Sequence, residues 1–169
     1  GSVGNGYCVE NFTSAAFERV FESVKYLVTE AEKLGVMIAL EAGVNHPIYS
    51  AQKMRELVDR LNSNNVLVIL DVANLMTLDN VDTQEQVIEQ AFTLLQDRLV
   101  AIHLKDFIVK DNKIEFVPFG QGMLLLENIL TFVKKEKPYL YCLFENTKEP
   151  DLATAYRHVQ QQYAQIEIY

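Results

Sequence analysis

Residues 66–75 read VLVILDVANL, and this stretch decides the fold. It begins with five apolar residues in a row, three of them β-branched, and then reaches Asp71. An apolar run of this length is typical of a strand that is buried on both faces, as in parallel sheets. Ligands of parallel α/β proteins bind where such strands end, so a carboxylate at this point suggests a functional site.

Three other segments share this pattern of an apolar run with a polar residue at or near its end. They are 36–40 before Glu41, 99–104 with His103, and 139–144 before Glu145. Amphipathic helix patterns lie before, between and after the four strands. We predict these helices at 14–34 after Thr13 or Ser14, from Ser50 to 61, from Thr83 to about 95, from after Gly122 to Pro138, and from Pro150 to about Gln165.

The alternation of strands and helices predicts βαβ units with a parallel sheet, and hence an α/β protein. Residues 107–117 interrupt it and read as a hairpin that turns at Asp111 and Asn112. We find no linker or change in composition, so the expectation is one domain over residues 1–169.

The polar residues at the strand ends are Glu41, Asp71, His103 and Glu145, separated by 30, 32 and 42 residues. The first two separations match one βα unit, and the third matches a unit plus the hairpin. Adjacent strand ends lie about 5 Å apart, so the four side chains can converge on one point. Each alone has an ordinary alternative as a cap, loop or core residue. Together they predict one divalent ion, Mn²⁺ or Mg²⁺, with Co²⁺ or Zn²⁺ as other possible ions.

Five motifs resemble the xylose isomerase-like sugar phosphate isomerase/epimerase superfamily, which also contains the family 2 apurinic endonucleases. They are LEAGVNHPIYS (40–50), ILDVANLM (69–76), IHLKDF (102–107), FGQGMLLLENIL (119–130) and CLFENT (142–147), in the order of the family. The resemblance implies a (β/α)₈ TIM barrel with one metal ion. It also implies that Glu41, Asp71, His103 and Glu145 are the metal ligands.

The motifs resemble only the last four βα units, whereas a complete barrel needs about 250 residues. We therefore expect a half-barrel, either a natural truncation or a shortened product. Residues 1–7 then resemble the loop after a missing fourth strand, although Gly1 and Ser2 could also be a remnant of cloning. An open half-barrel exposes two sheet edges, so the chain is predicted to form a homo-oligomer.

The resemblance predicts an isomerase or epimerase that acts on a sugar or sugar phosphate through an enediolate. Glu41 and Glu145 are the predicted catalytic acid and base, in addition to being ligands. His46, Asn74 and Lys105 are candidate substrate-binding residues. For His46 a plain surface-loop role is nearly as good an interpretation, and for Asn74 a capping role needs no substrate.

Two neighbouring features are candidates for supporting roles. Asp106 is predicted to orient His103 or Lys105 without binding the metal ion itself. The turn Gly120-Gln121-Gly122 precedes a helix and could bind an oxyanion, although a tight turn explains it equally well.

Two alternative functions remain open. For an apurinic endonuclease-like phosphodiesterase, the resemblance implies a three-metal cluster, with His at the position of Asn74 and Asp-x-His where 114–116 read IEF. The chain has only three histidines, which disfavours that cluster. The other alternative is a catalytically inactive fragment that keeps its metal ligands.

Composition limits the possible partners. The net charge is −8 without a basic cluster, which disfavours nucleic acid as a partner. No apolar run is long enough to span a membrane, and no signal peptide is visible. Cys8 and Cys142 lie far apart in unlike contexts, which favours free thiols. We therefore predict a cytoplasmic protein, and the partner that the resemblance implies is a small-molecule sugar or sugar phosphate.

Overall fold

The computed structural model of the protein describes residues 7–167. A four-stranded parallel sheet forms its centre, with strands in the order β1-β2-β3-β6. The strands are β1 (Ile38–Glu41), β2 (Val66–Asp71), β3 (Leu99–Leu104) and β6 (Tyr141–Phe144). The predicted α/β fold with a parallel sheet is thus confirmed. The loop predicted for residues 1–7 lies, apart from Tyr7, outside the described residues.

Five α-helices alternate with the strands as predicted. They are α1 (Ser14–Leu34), α2 (Ala51–Leu61), α3 (Gln84–Leu95), α4 (Leu126–Glu136) and α5 (Asp151–Gln165). Thr13 caps α1 by accepting a hydrogen bond from the amide of Ala16, and Ser50 caps α2 in the same way from Lys53. None of the described helices is long and apolar enough to cross a membrane.

Helix α3 starts after Thr83 as predicted, but the Thr83 side chain makes no capping hydrogen bond. Its hydroxyl donates to the carbonyl of Asn80. Helix α4 starts at Leu126, several residues after Gly122, and the backbone amides of the preceding turn bind the carboxylate of Asp106.

The interruption after β3 is the predicted hairpin, made of β4 (Asp106–Lys110) and β5 (Lys113–Val117). Asp111 and Asn112 have φ angles of 49° and 58°. Positive φ at both central residues is the requirement of a two-residue type I′ turn. Because the hairpin begins directly after β3, it lies beside the polar ends of the strands.

The sheet is covered on one face only. Leu70, Ile102 and Leu104 are at most 2% exposed and belong to the core formed with the helices. On the opposite face, Leu143 lies next to His103 in register and is 47% exposed, and Tyr141 is 70% exposed. The polar strand ends therefore adjoin an apolar face that the described residues leave open.

Candidate metal centre

The sheet register brings the four polar strand-end residues together. Asp71 and His103 are direct neighbours on β2 and β3, and Glu41 ends β1. Glu145 follows β6, held by a hydrogen bond from its amide to the carbonyl of Leu104. One possible ligand atom from each of the four lies within 4.8 Å of the others.

Asn74 and Lys105 connect these residues into a closed network. Lys105 Nζ donates to Oδ1 of Asn74 and to Oε1 of Glu145, both at 2.8 Å. Asn74 Nδ2 donates to Oε1 of Glu41 at 2.8 Å. His103 lies between the two glutamates, since its Nδ1 is 2.8 Å from a carboxylate oxygen of Glu145 and 3.5 Å from one of Glu41.

Asp71 lies at the bottom of this network and is 1% exposed. Its Oδ1 accepts from the amide of Asn74 and its Oδ2 from Lys105 Nζ, both at 3.1 Å. Burial raises the pKa of Asp71 to about 6, although Lys105 opposes the rise. A buried carboxylate with this environment needs a cation nearby to remain charged.

The pKa of the more exposed Glu145 shifts in the opposite direction from that of Asp71. The pKa of Glu145 is lowered, because hydrogen bonding and attraction from Lys105 outweigh the desolvation that opposes them. The pKa of Lys105 is raised, because its contacts with Glu145 and Asp71 outweigh its own desolvation. Lys105 is therefore a charged ammonium in a site that contains three carboxylates.

The environment of His103 fits a metal ion. Its Nδ1 atom is buried and makes no hydrogen bond, although carboxylate oxygens of Glu41 and Glu145 lie close to it. The short distances thus reflect atoms that converge on one point, not a hydrogen bond. Three carboxylates and one imidazole nitrogen are a suitable donor set for Mn²⁺ or Mg²⁺, or for Co²⁺ or Zn²⁺.

A cleft of about 390 Å³ opens over the network, and His46, Asn74 and Lys105 all line it. Asn74 and Lys105 use polar groups within the network, however. The three contacts of the Lys105 ammonium match its three N–H donors. An anionic substrate group would have to displace one of them, so the predicted direct contact between Lys105 and substrate has no free donor in this arrangement.

Sequence reasoning missed two residues that line the cleft, Phe116 and Asn146. The Phe116 ring lies on β5, with its centroid 4.5 Å from Lys105 Nζ. The hairpin was visible in the sequence directly after the strand of His103, so a side chain reaching over the site was foreseeable. The residue that points inward was not, because it depends on the twist of the hairpin.

The structure corrects the prediction for Asp106. Its carboxylate forms no hydrogen bond or ion pair with His103 or Lys105. It accepts hydrogen bonds from four backbone amides, which are those of Phe107, Gly120, Gly122 and Leu124, at 2.8 to 3.1 Å. The anion at the Gly120-Gln121-Gly122 turn is therefore the protein's own Asp106, and the turn has a structural role.

Comparison with known proteins identifies the family. The family model described as xylose isomerase-like TIM barrel matches residues 2–162. The chain belongs to this family. The relatives of this chain include SgbU of Haemophilus influenzae, which is named as a proposed L-ribulose-5-phosphate 3-epimerase. SgbU is 30% identical over 118 residues, which are 68% of this chain and 39% of SgbU.

Solved structures of xylose isomerase-like proteins show the same fold. The xylose isomerase domain protein of Planctomyces limnophilus has a TM-score of 0.69 at 23% identity over 88% of this chain and 52% of its own. A D-tagatose 3-epimerase-like protein has a TM-score of 0.68 at 19% identity over 88% of this chain and 54% of its own. The chain thus spans about half the length of these relatives, which is consistent with a partial barrel.

Other solved structures with this fold differ in the bound metal and in the activity of the protein. They include the IolI protein with a zinc atom, a Mycobacterium smegmatis protein in complex with magnesium, and endonuclease IV of Thermus thermophilus. Their identities to this chain are 15% to 20%, with TM-scores from 0.61 to 0.65. Proteins with this fold therefore differ in the metal that they bind and in their activity.

Proposed function

We propose that this chain carries the metal site of a divalent-metal-dependent isomerase or epimerase for a sugar or sugar phosphate. The observation that supports this most is the convergence of Glu41, Asp71, His103 and Glu145 within 4.8 Å at one end of a parallel sheet. These four would hold the ion. Membership of the xylose isomerase-like family and the epimerase names among its relatives support the reaction class.

A bound divalent ion would polarise a substrate carbonyl and make the adjacent C–H more acidic. Glu41 and Glu145 lie at the ends of the two outer strands of the sheet, yet each has a carboxylate oxygen within 3.5 Å of His103 Nδ1. In this proposal they flank the substrate. One carboxylate removes the proton to give an enediolate, and the other returns a proton to the adjacent carbon or to the opposite face.

The proposal predicts exchange of a carbon-bound hydrogen with solvent. In D₂O with Mn²⁺ or Mg²⁺, a panel of ketoses and ketose phosphates, including L-ribulose 5-phosphate, should contain a substrate that gains deuterium, measured by mass spectrometry. Glu41→Gln and Glu145→Gln should each reduce the exchange rate at least 100-fold, since each removes an acid/base group.

The matched control for these variants is Glu89→Gln, which makes the same change on the exposed surface of α3 and should keep the wild-type rate. Exchange that survives in both glutamate variants would contradict their catalytic roles. Metal binding without exchange on any ketose would favour the inactive-fragment alternative.

The phosphodiesterase alternative gains no support from the site. Residues 7–167 contain one group of three or more residues that could hold a metal ion, whereas that alternative calls for a three-metal cluster. Asn74, which stands where the alternative needs a histidine, is bonded to Glu41 and Lys105. We therefore propose a small sugar and not a nucleic acid as the partner, in a cytoplasmic setting that the free Cys8 and Cys142 would suit.

The second part of the proposal is self-association through the open half-barrel. Strands β1 and β6 form the edges of the sheet and run parallel. In a two-fold dimer, β6 of one copy can therefore pair with β1 of the other and continue an all-parallel ring. The exposed Tyr141 and Leu143 would be covered on the inside of that ring.

Light scattering during size exclusion should accordingly give twice the chain mass at micromolar concentration. A Leu143→Lys substitution should shift the mass to that of a monomer, because it introduces a charge into the apolar face. Tyr26→Lys, on the exposed surface of α1, should leave the dimer intact. A monomeric wild-type protein at every concentration would contradict the dimer and favour another protein segment as the occupant of this face.

A further inference from the structure

Unlike an ordinary surface lysine, Lys105 is buried beneath the cleft and its ammonium group is held by several polar contacts. Its side chain is only 4% exposed, and its Nζ donates to Asp71, Asn74 and Glu145 at 2.8 to 3.1 Å. The ring of Phe116 covers the same ammonium group with a cation–π contact of 4.5 Å. The fold thus builds a complete binding site for this one positive charge.

Two of the acceptors of Lys105 are also candidate metal ligands. Lys105 contacts Oδ2 of Asp71 and Oε1 of Glu145. A divalent ion at the convergence point would draw on the same two carboxylates. The network contains three carboxylates and one ammonium, so with a neutral imidazole its net charge is −2, which one divalent ion would neutralise.

We propose that Lys105 is the resident cation of this site. It holds Asp71 and Glu145 in place when no divalent ion is bound, and it lowers the affinity for the ion by neutralising one of the three carboxylates. This inference rests on the proposed metal site but concerns a residue with a separate task. Lys105 is a positioning residue, which acts on substrate only through the groups that it holds.

The first physical reason is the cost of a buried, unpaired charge. Asp71 is 1% exposed, and its only cationic partner among the described residues is Lys105. Removal of one member of a buried ion pair is strongly destabilising because it leaves the other charge without compensation. Without Lys105 and without an ion, the carboxylates of the network would repel one another.

The second reason is the repulsion between two cations that share carboxylates. Like charges a few ångströms apart repel strongly in a partly buried site. An ammonium in contact with Asp71 and Glu145 therefore opposes an incoming divalent ion. The benefit is a preassembled site from which the ion can exchange.

The test uses Lys105→Met, which keeps most of the length of the side chain and removes its ammonium group and its charge. In EDTA, the melting temperature of K105M should lie at least 5 °C below that of the wild type. In a titration with Mn²⁺ followed by calorimetry, K105M should bind the ion at least tenfold more tightly. Lys113→Met, on the exposed hairpin, should match the wild type in both measurements.

A double variant tests the mechanism and guards against loss of folding. Adding Asp71→Asn to K105M removes the unpaired carboxylate, so it should recover most of the melting temperature lost in EDTA. If K105M is unfolded in EDTA, saturating Mn²⁺ should restore its fold. Failure of both rescues, an unchanged melting temperature in EDTA, or weaker binding of Mn²⁺ by K105M would each overturn the inference.

The measurements also separate this inference from the proposed function. If the wild type binds no divalent ion, the proposed metal site fails. The EDTA comparison of K105M, K113M and the double variant would still report whether Lys105 is the cation that holds the carboxylates together.

Discussion

Replacing Asp71 by asparagine is expected to remove most of the thermal stabilisation that a divalent ion gives to the protein. Asp71 is the most buried of the four candidate ligands, and within residues 7–167 the potential metal-ligand group holds no carboxylate besides Glu41, Asp71 and Glu145. An amide supplies one neutral oxygen where the site supplied an anion, so the affinity for the ion should fall at least 100-fold.

The size of the effect follows from linkage between binding and folding. At a free Mn²⁺ concentration 100 times the Kd, binding stabilises the wild type by about 2.7 kcal/mol. After a 100-fold loss of affinity, the same concentration gives about 0.4 kcal/mol. For a protein of this length, about 1 kcal/mol corresponds to roughly 2–4 °C in Tm, so the shift should fall from roughly 5–10 °C to about 1 °C.

Differential scanning fluorimetry with and without Mn²⁺ measures this shift directly. The matched control is Asp79→Asn, an exposed aspartate eight residues further along the chain. D79N should keep the full shift caused by the metal. An undiminished shift in D71N, or an equal loss in D79N, would contradict the assignment of Asp71 as a ligand.

The second large effect is expected from Asp106→Asn, and it concerns stability instead of metal binding. Each oxygen of the Asp106 carboxylate accepts two backbone amides, and the side chain is buried. Asparagine has the same shape but only one acceptor oxygen, so two amides lose their partner and face an NH₂ group. At about 1–3 kcal/mol for each unsatisfied donor, the free energy of unfolding should fall by about 2–6 kcal/mol.

Urea unfolding in EDTA measures this loss without any contribution from a metal ion. Asp111→Asn is the matched control, since it lies in the turn of the same hairpin at a positive φ that asparagine tolerates well. D111N should change stability by less than about 0.5 kcal/mol.

A substitution on the opposite side of the same contact provides an independent check. A Cβ atom at Gly122 would overlap Asp106 Oδ1 and the carbonyl oxygen of Phe107, so Gly122→Ala should destabilise the protein as well. If D106N and G122A both retain wild-type stability, Asp106 does not organise the turn.

The strand-end residues show how far sequence reasoning reached. The period of about 30 residues between Glu41, Asp71 and His103 was sufficient to predict their convergence, since the length of a βα unit sets that spacing. Glu145 could be included because the hairpin explained its longer separation. Apolar runs and turn residues are local signals, and the parallel sheet and the type I′ turn follow from them directly.

Lys105 and Asp106 show where the sequence was insufficient. They are neighbours in the motif IHLKDF, and both were predicted to serve the site. The structure turns the Lys105 side chain into the carboxylate cluster and the Asp106 side chain toward the turn at Gly122. The side chains of successive residues in an extended chain point to opposite sides. The hydrogen-bond partners that they meet on each side, however, come from other segments of the chain.

The sequence by itself thus determined the order of strands and helices, the family, and which four side chains meet at the end of the sheet. Only the tertiary structure decided the partners of Lys105, Asn74 and Asp106, and the position of Phe116 over the cleft. The physical reason is that periodicity and spacing record the local geometry of the chain. A hydrogen bond between residues 14 to 40 positions apart depends on how complete units pack together.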